Sequence, residues 1–265
     1  MKAYLKYAVV VLVILVIGVI VISRLKKPSQ TLTTTPARQT EQINQLSVKD
    51  RPFVTLTPNA AGNEVTLGVD QVKNATKVEY ELEYQTSTLI QGAFGDIDFS
   101  QTKLPVAKQL LFGSCSKNVC KYDEGVTGGS LTLTFSGGDK NYVLKTDFNL
   151  QQMFDRQGIF TSKDVKATLD VGKTGLPNAT FLIISGTMGL PAEISGEVVA
   201  GPYAFLAATS PALKSATLTI KSKEDLTGAK LMLWDGKTWS ELKSALTDGQ
   251  ISAPVTGLGT FVVVK

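Results

Sequence analysis

The chain contains no histidine, and only two of its 265 residues are cysteine. A Ser-His-Asp or Cys-His catalytic site needs an imidazole to take and return a proton near neutral pH, so both are excluded. Zinc sites of the His-Glu-x-x-His or Cys₂His₂ type are excluded too, and two cysteines cannot build a Cys₄ site. Acids are missing from residues 1–27, which carry five cations: Lys2, Lys6, Arg24, Lys26 and Lys27. Taking these from the chain's 27 Lys and Arg leaves 22 against 23 Asp and Glu. The formal charge of +4 therefore sits at the N-terminus, and the body is near neutral. That distribution gives no nucleic-acid footprint.

What is present begins with an uncharged run, Tyr7 to Ser23. As a helix it spans roughly 25 Å, and flanking lysines and tyrosines extend its reach toward a bilayer core of about 30 Å. A helix satisfies its own backbone hydrogen bonds in lipid, so the run is expected to span as one. No Ala-x-Ala site follows, which favours an uncleaved anchor over a signal peptide. Flanking charge does not settle orientation. Long domains translocate largely regardless of it, so the expectation is an inside N-terminus and an exported body. Residues 28–52 hold no aromatic residue and are rich in Thr and Gln, which reads as a flexible linker.

Beyond Phe53 the apolar period becomes two. In KVEYELEYQT, Val78, Tyr80, Leu82 and Tyr84 point one way and Glu79, Glu81, Glu83 and Gln85 the other. Further strands are expected at 64–69, 109–113, 130–135 and 142–148, with a hairpin turn at Gly137–Asn141. Leu150–Arg156 reads as a short helix or connector. A second set of strands follows at 165–170, 181–186, 197–200, 203–207, 216–222, 230–234, 239–242 and 259–264. Such spacing with turn signals predicts an all-β chain of two immunoglobulin-like β-sandwiches, residues 53–150 and 159–265, behind an N-terminal transmembrane helix at 1–27.

Few residues carry candidate chemistry. Cys115 and Cys120 enclose four residues and are expected to form a structural disulfide in an oxidising compartment. A redox pair would prefer Cys-x-x-Cys at a helix start. Ala167–Thr174 matches a relaxed phosphate-loop pattern, but a β pattern fills it and Gly175-Leu-Pro177 breaks any following helix. Ser114/Lys117 and Ser240/Lys243 are Ser-x-x-Lys pairs without the helix that motif needs. Asp96, Asp98, Asp123 and Glu124 read as surface loop acids without calcium-loop spacing. Asn74 and Asn178 open glycosylation sequons. Trp234 and Trp239 flank an Asp-Gly hairpin turn. They pair across strands as packing or stack on a sugar ring; packing is the preferred reading.

Two segments resemble known proteins. Leu111–Phe135, LFGSCSKNVCKYDEGVTGGSLTLTF, resembles a stretch in uncharacterised membrane-anchored exported proteins of candidate-phylum bacteria. The tail, with TLTIKSKEDL, LMLWDGKTW and Leu258-Gly-Thr-Phe261, is similar to β-sandwich modules that end bacterial surface proteins. The resemblance implies an envelope location and transfers no activity or site to this chain, and such folds serve many functions.

The resulting expectation is a single-pass cell-membrane protein held in the lipid bilayer by residues 7–23, its β domains extracytoplasmic. It is a non-catalytic interaction or structural module with a protein or glycan partner at the cell surface. It uses no cofactor, metal or nucleic acid. One rival is a carbohydrate-binding module using Trp234 and Trp239. The other is a histidine-free paired-carboxylate hydrolase.

Overall fold

The computed structural model describes residues 42–117 and 119–265. The anchor expected at 7–23 and the linker residues 28–41 lie outside them. Among the described residues, no helix is long and apolar enough to cross a membrane.

The described chain is all-β, 54% strand and 3% helix, in several sheets. The strands in chain order are β1 (Phe53–Pro58), β2 (Glu64–Asp70), β3 (Lys77–Gln85), β4 (Ile90–Asp98), β5 (Val106–Leu111), β6 (Gly113–Ser116), β7 (Val119–Tyr122), β8 (Gly128–Ser136) and β9 (Tyr142–Gln152). One turn of helix, α1 (Met153–Arg156), leads into β10 (Ile159–Thr161), β11 (Ala167–Asp170), β12 (Phe181–Gly186) and β13 (Val198–Ala207). Then come β14 (Ala216–Lys221), β15 (Lys230–Trp234), β16 (Trp239–Leu242), β17 (Ala245–Thr247), β18 (Gln250–Val255) and β19 (Gly259–Val264). The expected strands at 197–200 and 203–207 are one strand, β13, broken by register shifts between Val198 and Tyr203. A bulge of this kind interrupts the alternation that sequence reading relies on.

A nine-stranded sheet runs in the order β16-β15-β19-β13-β12-β9-β8-β3-β4. The expected division at residues 150–159 falls inside it. β9 continues to Gln152 and pairs with β12 from Phe181↔Gln152 to Ser185↔Phe148, so the two halves share backbone hydrogen bonds. A three-stranded sheet, β1-β2-β5, covers one end, and a five-stranded sheet, β10-β11-β14-β18-β17, covers the other.

The two covers lie on opposite faces, and β12 shows why. Ile183 joins the first core with Leu56, Leu67, Leu82 and Phe148. Its neighbours Leu182 and Ile184 join the second, with Phe205, Leu218, Phe261 and Val263. Successive side chains of a strand point to opposite faces, so one strand feeds both cores. Each large side chain sealed in this way contributes about 1.5–3 kcal/mol. In β3 the alternation serves one core only: Val78, Tyr80, Leu82 and Tyr84 are buried, and the three glutamates face solvent.

Residues 42–52, the end of the expected flexible linker, are docked on the body. The Asn44 amide donates to the Val143 carbonyl, and its side chain bonds Lys145 N–H and C=O at 3.0 Å each. Lys49 Nζ donates to the Gly196 carbonyl at 2.6 Å, and Val48 packs beside Leu190 and Val262. Hydrogen bonds to the sheet, which composition does not reveal, order this stretch.

Candidate functional site

Each expected site residue has a definite place. Cys115 and Cys120 face each other across the β6–β7 hairpin and are joined as a disulfide. Trp234 and Trp239 are paired directly across β15 and β16, ring centroids 5.5 Å apart and tilted by 59°. The turn between them is set by Asp235, whose carboxylate accepts from the amides of Thr238 and Lys237 at 2.9 and 2.8 Å. Those bonds lower the Asp235 carboxyl from its ordinary value. The Trp239 indole N–H donates to the Ala192 carbonyl at 3.3 Å, and its ring packs against Leu190, Val262 and Val264. Both rings are half-buried. This arrangement is that of a cross-strand packing pair, with Trp239 also tied to the Ala192 carbonyl.

The remaining candidates do not converge. Gly172 and Gly175 form a turn after β11, and no helix follows before β12. Ser114 lies on β6 and Ser240 on β16. Asp98 caps its own turn, accepting from the Ser100 hydroxyl and amide, and Asp123 accepts from the Tyr84 hydroxyl at 2.8 Å. Among the described residues no three Cys, Asp or Glu side chains are grouped to hold a metal ion. Among the described residues the carboxyls with a displaced pKa, Asp98, Asp164, Asp225 and Asp235, are all lowered. A general acid needs the opposite shift.

Two surface features were missed from sequence. One is the outer face and free edge of β3–β4. Among the described residues β4 pairs with β3 alone and ends the nine-stranded sheet. Phe94 is 84% exposed at its centre and Ile90 67% exposed at its start. Phe94 lies opposite Glu81, with Glu79 and Glu83 on the same outer face of β3. Lys77 is the cation beside them, 3.2 Å from Glu79 and 3.7 Å from Asp96. β4 contains neither lysine nor proline, the residues that usually guard an edge. Its glycines hid it from a strand search. Gly95 sits opposite Tyr80, whose ring occupies the space a Cβ would take.

The other is a groove of about 240 Å³ where β12 parts from β9. After Gly186 the chain turns away, and Met188 bridges to Phe53. Asn44 takes the vacated place beside β9. Arg51, Lys145, Asp147, Lys163, Asp164 and Ser185 line the opening. The Arg51 guanidinium donates to the carbonyls of Leu46 and Asn44 at 2.8 Å each, and burial lowers it from its ordinary value. Burial pushes the Asp164 carboxyl up. Hydrogen bonds from Ser162 at 2.6 Å and Tyr203 at 2.7 Å, with the amide and charge of Lys166, outweigh that and leave it lowered.

No protein-family description matches the chain. No curated protein is detectably similar to it.

Proposed function

We propose that this chain is a membrane-anchored extracytoplasmic interaction protein, non-catalytic, built from two immunoglobulin-like β-sandwiches that share one sheet. The observation that carries the interaction reading is the β4 edge, with its exposed Phe94 and the glutamate row beside it. An unguarded strand offers a row of backbone N–H and C=O groups to an incoming strand. The acids of β3 select a partner segment with lysine or arginine on alternate residues and apolar residues between them. The uncharged run at 7–23 and the cysteine pair support anchoring and export.

The test uses the full chain in detergent micelles and a labelled peptide alternating valine and lysine, with a valine–glutamate peptide as control. Binding of the lysine peptide alone, with new hydrogen-exchange protection confined to β4 amides, is the expected result. Equal binding of both peptides, or protection elsewhere, rejects the edge as the docking site. Protease shaving of intact cells tests the topology separately. If the β domains survive shaving and are degraded only after lysis, the outward orientation fails.

A further inference from the structure

The groove at the β9–β12 fork holds more donor capacity than the protein uses. Among the described residues, no partner bonds the Lys145 ammonium, and no carboxylate lies within salt-bridge distance of Arg51. Lys163 reaches only the Gly129 carbonyl, at 3.3 Å. A cation partly withdrawn from water without a counter-charge costs stability. On the acid side, Asp164 is committed to Ser162 and Tyr203, while Asp147 stands exposed at the rim. Three cations against two carboxylates leave the groove one positive charge in excess.

We infer that this groove is a binding site for a small polyhydroxylated ligand bearing one carboxylate or phosphate. The oxyanion is held by Lys145 and Arg51. Asp147 accepts from ligand hydroxyls, and Pro202 and Tyr203 supply the apolar wall. A volume of about 240 Å³ accommodates a single sugar unit. The outer face of β3–β4 has no part in this site, so either proposal can fail while the other stands.

The full chain in detergent micelles is titrated by calorimetry with glucuronate, glucose 6-phosphate, inorganic phosphate and glucose. Glucuronate and glucose 6-phosphate are expected to bind at least about tenfold tighter than glucose, since a charge-assisted hydrogen bond is worth that much or more. Whichever of the two binds tighter identifies carboxylate or phosphate as the natural group. Equal binding of glucose overturns the oxyanion assignment, and inorganic phosphate binding as tightly as the sugars overturns the sugar. Lys145→Ala removes an exposed side chain and is expected to weaken the anionic sugars about tenfold with an unchanged melting temperature. Wild-type affinity in this variant overturns the site.

Discussion

The two ends of the nine-stranded sheet each have one face that no second sheet covers, and the two faces are finished in different ways. At the β15–β19 end, Val262 and Val264 are buried beneath Leu190, Val48 and Ile194, with Trp239 and Met232 alongside. At the β3–β4 end the outward positions include Glu79, Glu81, Glu83, Ile90, Phe94 and Asp96, and no segment of the described chain lies over them. β19 is consequently buried at every position from Gly259 to Val264. β3 alternates cleanly. A strand buried on both faces reads as a continuous apolar run, and a half-solvated strand alternates.

The largest break in this comparison is a charge on the covered face. Val262→Asp places an unpaired carboxylate at a position with 0% exposure and is expected to cost more than about 3 kcal/mol. Glu81→Val on the open face is expected to stay within about 0.5 kcal/mol of wild type. Urea unfolding of both variants checks the contrast. Similar losses would mean that the β3 face is covered in solution by something the described chain does not supply.

Trp239→Ala sharpens the same point with a smaller effect. It removes the pairing with Trp234, the packing on Val262 and Val264 and the bond to Ala192. The expected loss is about 1–3 kcal/mol, with faster hydrogen exchange in residues 190–194. A variant with wild-type stability and lost glycan binding would instead favour the carbohydrate reading of Trp234 and Trp239.

Strands with a clean alternation or a continuous apolar run were the legible ones. β3, β8, β14 and β19 lie where the apolar pattern places them, and the Asp235-Gly236 hairpin follows from turn chemistry. β1, β4, β6, β7, β10, β17 and β18 were not foreseen. β10 and β17 are three residues long, too short for a period to register, and β4 is interrupted by Gly92 and Gly95. The shared sheet was hidden for a different reason. Nothing local in Ile183 and Ile184 records that one faces the first core and the other the second. The groove was hidden as well, because Arg51, Lys145 and Lys163 come to one opening only through long-range strand pairing.

The two cores also differ in how their tyrosines are held, which gives a milder test by pH. In the first core Tyr84 is pushed up to about 12 by burial and by its bond to Asp123, and burial pushes Tyr142 up to about 12. In the second, burial and the Asp164 carboxylate raise Tyr203. A raised folded pKa means that the fold favours the neutral phenol. That stabilisation is complete below the ordinary value of about 10 and is lost as pH climbs through about 12. Unfolding is therefore expected to become easier between about pH 10 and 12, with phenolate absorbance lagging that of the denatured chain. Tyr203→Phe with Asp164 intact isolates the second core. If it leaves the alkaline transition unmoved, the loss arises in the first core.

The smallest expected change in stability falls where binding should suffer most. Phe94→Ala removes a ring that is 84% exposed, so it forfeits little buried area and is expected to shift stability by no more than about 0.5 kcal/mol. Phe94 stands opposite Glu81 in the centre of the unguarded edge, so an incoming strand would have to pack on it. The variant should therefore fold and melt as the parent does while losing affinity for the alternating valine–lysine peptide. A melting temperature that falls sharply would show the ring to be covered by the protein itself. In that case the open face is no longer the counterpart of the closed one, and the edge loses its claim as the interaction surface.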